Sequence, residues 1–188
     1  MSLLLLAVFL LQEPGEGAPA HSGPRSGFEA GLAFLSLDPA LGAEDKLAPG
    51  FEVAFSMSTA EPKYTLGMRA YYRKWEVNFE EFNQLPADLD GEVEQLGLNL
   101  VITYPLTGPL SLGVEFGGGG MRIEHDLDEE TSFFFEGGAF VRLDLFFGLF
   151  IQAGGVAFGA LTEFGGQEAD SDHVSWVGKV NAGFELEF

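Results

Sequence analysis

Residues 174–188 read VSWVGKVNAGFELEF. Trp176, Val180, Ala182, Phe184, Leu186 and Phe188 share one parity, and Lys179, Asn181, Gly183, Glu185 and Glu187 hold the other. A period of two is the signature of a β-strand with two unlike faces, because successive side chains of an extended chain point to opposite sides. The sequence ends on an aromatic side chain of the apolar parity, Phe188.

The same alternation recurs upstream in seven segments: 27–37, 50–58, 63–75, 94–104, 110–123, 131–145 and 149–162. One parity is apolar, with pairs such as Phe28 and Leu32, Phe51 and Phe55, Leu96 and Leu98, or Phe133 and Phe135. The other is small or polar and carries Glu29, Glu52, Arg69, Arg73, Glu115, Glu136, Arg142, Lys179 and Glu185. Segment 149–162 is ambiguous, because Phe150 and Ile151 are adjacent and both apolar. It also reads as an uncharged apolar run, 145–162, of the length of a membrane helix, but four glycines oppose that. No amphipathic helix pattern appears, so the fold class expected is all-β.

Alternation alone does not say which face is inside. A soluble, lipocalin-type barrel would enclose the apolar face around a ligand cavity. The connections point the other way. Acidic stretches at 38–49, 76–93, 124–130 and 163–173 join the segments at one end, and short turns at 59–62, 105–109 and 146–148 join them at the other. Long loops at one end and tight turns at the other are the habit of membrane barrels. Eight strands over residues 21–188 allow about 21 residues per strand and connection, which suits spanning strands. The amino end agrees. Residues 3–11 are uniformly apolar but too short for a membrane helix, and Ala18-Pro19-Ala20 supplies small residues at the spacing of a cleavage site. The organisation expected is a signal peptide over 1–20 and one barrel domain over 21–188, with His21 the first mature residue.

With these residues in view, the chain resembles the small eight-stranded outer-membrane β-barrels of the OmpA/OmpX type. The glycine-rich stretches 117–120, 137–138 and 154–155 also look like strands of that family. The resemblance implies an eight-stranded antiparallel up-and-down transmembrane β-barrel. It also implies export through the periplasm to a bacterial outer membrane, periplasmic mature termini, and outer-membrane lipids around the wall. Phe184, Leu186 and Phe188 match the family's terminal signal, read by the barrel-assembly machinery during biogenesis.

An eight-stranded barrel has room inside for side chains only. The nine charges above are therefore expected to form a lumen network in which acids and bases pair, since an isolated buried charge is costly. Position along alternating strands suggests three levels. Glu52, Arg73 and Glu136 lie toward the loops, Arg69, Glu115 and Lys179 at mid-height, and Glu29, Arg142 and Glu185 toward the turns. Tyr64, Tyr72, Trp75, Tyr104, Trp176 and Phe188, near strand ends, are expected at the membrane–water boundary.

Composition limits the remaining chemistry. With no cysteine, disulfides, thiol catalysis and cysteine-based metal centres are excluded. Nine Lys and Arg against 29 Asp and Glu give a net charge of −20, which excludes nucleic acid as a partner. The spans 38–48, 74–94, 124–132 and 163–173 hold 19 of the 27 acids that follow residue 20, so one end should be strongly negative. Asp88, Asp90 and Glu92, and Asp126, Asp128, Glu129 and Glu130, offer oxygen ligands for weak Ca²⁺ or Mg²⁺ binding but lack an EF-hand pattern. No transition-metal spacing and no cofactor motif is present. His173 and Ser175, with Glu185 as the acid, resemble the lipid A deacylase barrels. Trp176 departs from that pattern, and ten residues of continuous strand separate Ser175 from Glu185 by about 33 Å. The function expected is therefore non-enzymatic: an integral outer-membrane barrel with a charged, plugged lumen and acidic surface loops. A narrow channel or small-ligand transporter is the alternative, and a lipid A-modifying enzyme the second.

Overall fold

The computed structural model describes residues 23–37, 47–61, 63–79, 89–125, 128–161 and 174–188. Residues 1–20, expected to be a signal peptide, together with His21, His173 and much of the acidic connections, lie outside them. Eight strands follow one another: β1 (Pro24–Ser36), β2 (Ala48–Ala60), β3 (Thr65–Phe79), β4 (Leu89–Thr107), β5 (Leu110–His125), β6 (Asp128–Asp144), β7 (Leu149–Leu161) and β8 (Ser175–Glu187). Each pairs antiparallel with its sequence neighbour, and β1 closes the barrel on β8, with Phe28 opposite Phe184. The range 145–161 is thus turn and strand, and among the described residues no helix is long and apolar enough to cross a membrane.

Alternation decides the two faces as the inner volume requires. Large apolar side chains of one parity stand exposed on every strand, among them Phe28, Phe55, Met68, Leu98, Phe116, Phe135, Ile151 and Val180. A soluble monomer rarely exposes a continuous apolar band of this extent. The inner parity is crowded, and glycine makes the room. A Cβ at Gly113 would strike the Phe140 ring, and one at Gly97 would strike the Tyr71 hydroxyl. In β7 the ambiguity resolves the same way: Phe150, Gln152, Val156 and Phe158 face inward, while Leu149 and Ile151 face out.

The wall is taller on one side. β1, β2, β7 and β8 have 13 residues each, whereas β3, β4, β5 and β6 have 15, 19, 16 and 17. Part of the stretches read as loops, 76–93 and 124–130, is therefore paired strand, with Glu76 opposite Glu92 and Glu124 opposite Glu129. Polarity inverts in this extension. Lys74, Glu92, Glu94, Arg122 and Glu124 point outward, while Trp75, Val77, Val93, Met121 and Ile123 are buried inside. Charge outside and apolar side chains inside is what a barrel in water adopts. The rim residue Tyr72 donates its hydroxyl to Glu94 at 2.7 Å, where the apolar belt gives way to charge.

Trp75 is the aromatic that departs from its expected place. It is buried inside rather than at a boundary, and its Nε1 donates to the Ala33 carbonyl at 3.2 Å. It shares parity with Arg69 and Arg73, so its inward direction follows from the alternation. The interior toward the loops is thus an apolar core of Leu35, Leu37, Tyr71, Trp75, Val77, Phe134 and Phe158 with smaller neighbours.

Candidate functional site

Arg69 and Arg73 sit four residues apart on β3, so both project into the lumen. Their guanidinium groups organise the middle of the barrel. Arg69 donates from Nε to Glu29 and from Nη2 to Glu52 at 2.5 Å, and its Nη1 lies 3.7 Å from Glu115. Arg73 donates from Nε to Glu52 at 2.5 Å and from Nη1 to Glu136 at 2.6 Å, and reaches the Gln95 carbonyl at 3.2 Å. Lys179 on β8 donates to Glu115 across the barrel. The three cations and the four carboxylates are at most 6% exposed.

Two asparagines complete the network. Asn99 donates to Glu115 at 3.1 Å and to Glu136 at 2.5 Å, and Asn181 donates to both Glu29 and Glu52. Each amide thus bridges two carboxylates, as a set with four acids and three cations requires. These asparagines carry no charge, and a reading by charge passes over them. Their signal is parity: each shares a face with the nine charges.

A second group lies toward the turns. Arg142 makes a two-pronged pair with Glu185, at 2.6 and 2.7 Å, and also donates to Asp144 at 2.7 Å. Its guanidinium covers the Phe150 ring at 3.9 Å. Water reaches this group, since the Asp144 side chain is 45% exposed. Here the expected layering needs correction. Glu29 pairs with Arg69 rather than with Arg142 and Glu185, and Arg69 joins Glu29 to Glu52, so the upper two levels merge into one continuous network. The reason is geometric. Strands of a closed barrel tilt and stagger, so equal distance along two strands is not equal height.

Below the network a cavity of about 630 Å³ opens toward the turns. Arg25, Glu29, Arg69, Ser111, Arg142 and Gln152 are among the residues that line it. Arg69 Nη1 and Gln152 Nε2 are buried donors without a protein hydrogen bond, and both residues line this polar space, which is large enough to admit water. From turns to loops the interior is therefore a wet vestibule, an ion-pair layer and an apolar core.

The remaining candidate groups are scattered. Ser175 is buried and faces the lumen near the loop end of β8, while Glu185 lies at the turn end of the same strand. The two are not brought together. Of the expected cation ligands, Glu92 pairs with Lys74 at 2.5 Å and Glu129 with Arg122 at 2.7 Å. Asp88 and Asp126 fall outside the described residues, among which no cluster of three or more His, Asp or Glu suits a metal ion. Phe184, Leu186 and Phe188 are all exposed on the outer face beside the closing seam.

No protein-family profile and no curated protein matches the chain. Solved structures do. Neisserial surface protein A is 16% identical, with 89% of this chain and 98% of that one covered and a TM-score of 0.55. Ail, the attachment invasion locus protein of Yersinia pestis, solved with the heparin analogue sucrose octasulfate, is 14% identical over 87% of this chain and 99% of its own, with a TM-score of 0.58. A major outer membrane protein from Thermus thermophilus is 13% identical, with the same coverage and a TM-score of 0.57. The likeness is one of fold: the chain has the closed eight-stranded architecture of the small outer-membrane β-barrels.

Proposed function

We propose that the chain is an integral bacterial outer-membrane barrel, non-enzymatic and sealed, which displays acidic loops at the cell surface. One observation carries the sealed reading. The lumen is filled across its section by the Arg69–Glu52–Arg73–Glu136 network and, above it, by the apolar core around Trp75. Reconstitution into planar bilayers tests it: a sealed barrel gives no steady single-channel current, and discrete conductance steps would contradict it.

The cavity of about 630 Å³ favours a second reading, a narrow channel or small-ligand transporter gated at the ion-pair layer. That reading expects Arg73→Ala to raise conductance, whereas a plug backed by an apolar core stays closed in the same variant. A lipid A-modifying role has less support, since Ser175 faces the lumen and is shut off from lipid by the barrel wall.

Partners follow from surface chemistry. The exposed row Phe184, Leu186 and Phe188 offers the assembly machinery an apolar terminal edge, and the belt offers lipid tails a matching surface. The charge of −20 disfavours polyanions of the kind seen on Ail and favours divalent cations bridging to lipid phosphates. Thermal unfolding in detergent with millimolar Ca²⁺ should then occur at higher temperature than with a chelator. Coincident curves would leave the loops as solvated charge.

A further inference from the structure

The turn-side vestibule holds more space than the pairing of lumen charges requires. An eight-stranded barrel ordinarily fills its interior with side chains. Toward the loops this one does, with Trp75, Phe134 and Phe158. Toward the turns it does not. The inward residues of β2 to β5 that line the cavity below Arg69 are small: none of Ser56, Ser58, Thr65, Gly67, Val101, Thr103 and Ser111 is larger than valine. Side-chain size thus opens the space at one end of the barrel and along one half of its wall.

The lining is two-sided. Ser56, Ser58, Thr65, Thr103 and Ser111 bring five hydroxyls, each able to donate and to accept. The facing strands β6 and β7 bring Phe140 and Phe150, with the Arg142 guanidinium on the Phe150 ring. At the inner end stand Arg69 and Gln152. These residues are 2% and 4% exposed, and Arg69 Nη1 and Gln152 Nε2 have no hydrogen-bond partner in the protein. Buried donors on the wall of a polar cavity call for acceptor oxygens.

Charge narrows the choice. The cations of the lining already face acids. Arg69 has Glu29, Glu52 and Glu115, Arg142 has Glu185 and Asp144, and Arg25 lies 4.0 Å from Glu185. An entering anion would meet those carboxylates as well as the cations they hold. An entering cation would find those acids occupied, and donors where it needs acceptors. An uncharged molecule rich in hydroxyl oxygens meets neither obstacle.

We propose that the vestibule is a binding pocket for an uncharged, polyhydroxylated molecule of sugar size that enters from the turn side. Arg69 Nη1 and Gln152 Nε2 donate to its inner oxygens, the five hydroxyls serve its flank, and Phe140 and Phe150 give the opposite wall an apolar surface. The volume of about 630 Å³ lies within the range of small-ligand pockets, roughly 300–1,000 Å³. The ion-pair layer lies across the inner end, so binding here needs no conducting lumen. Channel current in planar bilayers bears on the sealed reading alone, and the two can fail separately.

The test is an NMR titration of the isotope-labelled, refolded chain in dodecylphosphocholine micelles, with glucose and sucrose as probes. The pocket predicts saturable shifts of the Gln152 side-chain amide and of the backbone amides of Ser56, Thr103 and Ser111, while Val77 and Val93 in the apolar core stay unmoved. No saturable shift at the vestibule with either sugar, or equal drifts at both ends of the barrel, overturns the pocket and leaves the space to water. Gln152→Leu nearly keeps the volume and removes the donor, so Kd for the sugar should rise about tenfold, and an unchanged Kd overturns the assigned contact. Thr103→Trp, at a position that water reaches, fills the space from the mouth and should abolish the shifts at Ser56 and Ser111. Shifts that persist in this variant overturn the site. Glucose 6-phosphate and putrescine read the charge preference in the same assay, and tighter binding of either than of glucose overturns the uncharged class.

Discussion

Arg73 is held by two carboxylates, Glu52 and Glu136, and is fully buried. Arg142 is held as tightly, by Glu185 and Asp144, but in a mouth that water reaches. The two sites separate geometry from burial. Removing one partner of a buried pair costs about 3–5 kcal/mol, because the charges left behind have neither partner nor solvent. Arg73→Ala should therefore lower unfolding free energy in detergent by about that much, with Glu136 left only its Asn99 amide partner and Glu52 one of its two cations. Arg142→Ala strands Glu185 and Asp144 beside the vestibule, where water replaces part of the loss, and about 1–3 kcal/mol is expected. Urea unfolding of the two variants beside the parent checks the order. Equal losses would mean that water reaches the ion-pair layer as freely as the mouth.

Along the strands, inner volume sets what each position tolerates. Gly113 on β5 makes room for the Phe140 ring of β6, its register partner. Gly113→Ala should cost about 1–3 kcal/mol by forcing that ring aside, and Phe140→Leu in the same chain should recover most of it. A double-mutant cycle in detergent measures the recovery, and additive losses would show that the two do not share one space. The eight strands were legible in the sequence because lipid and lumen impose opposite chemistry on alternate residues, as Phe28 and Glu29 or Leu98 and Asn99 illustrate. Legibility failed where that contrast reverses. Beyond Tyr72 and Leu96 the outer face is wet and carries Lys74, Glu92 and Glu94, while Trp75, Val77 and Val93 fill the inside. An acidic run then looks like a loop although it is paired strand. Of the site, charge and parity marked the nine ionisable residues, but strand stagger hid that Glu29 belongs to Arg69. The asparagine bridges stayed hidden because Asn99 and Asn181 carry no formal charge. Lys74 and Arg122, paired with acids on the wet outer face, should contribute little. Lys74→Ala is expected to leave the urea midpoint close to the parent's, and a clear loss in the same assay would show that the extension is less hydrated than its exposure indicates.

At the scale of the whole molecule, three zones stack inside the wall, and one apolar belt surrounds it. The zones support the proposal of a sealed lumen, and the belt accounts for where the protein resides. Both depend on one orientation, with large apolar side chains outward and charge inward, the reverse of a soluble barrel of equal strand number. The inverted rim at Tyr72 and Lys74 sets where the belt ends toward the loops, and the Phe146-Phe147 turn continues it at the opposite end. The orientation has a direct consequence for folding, because nothing but lipid or detergent can cover the outer face. Denatured chain diluted into phosphatidylcholine vesicles should acquire β-sheet circular dichroism and migrate, unboiled, as a compact band that shifts on boiling. The same dilution into plain buffer should give neither. A folded, soluble monomer in buffer without lipid or detergent would contradict the account.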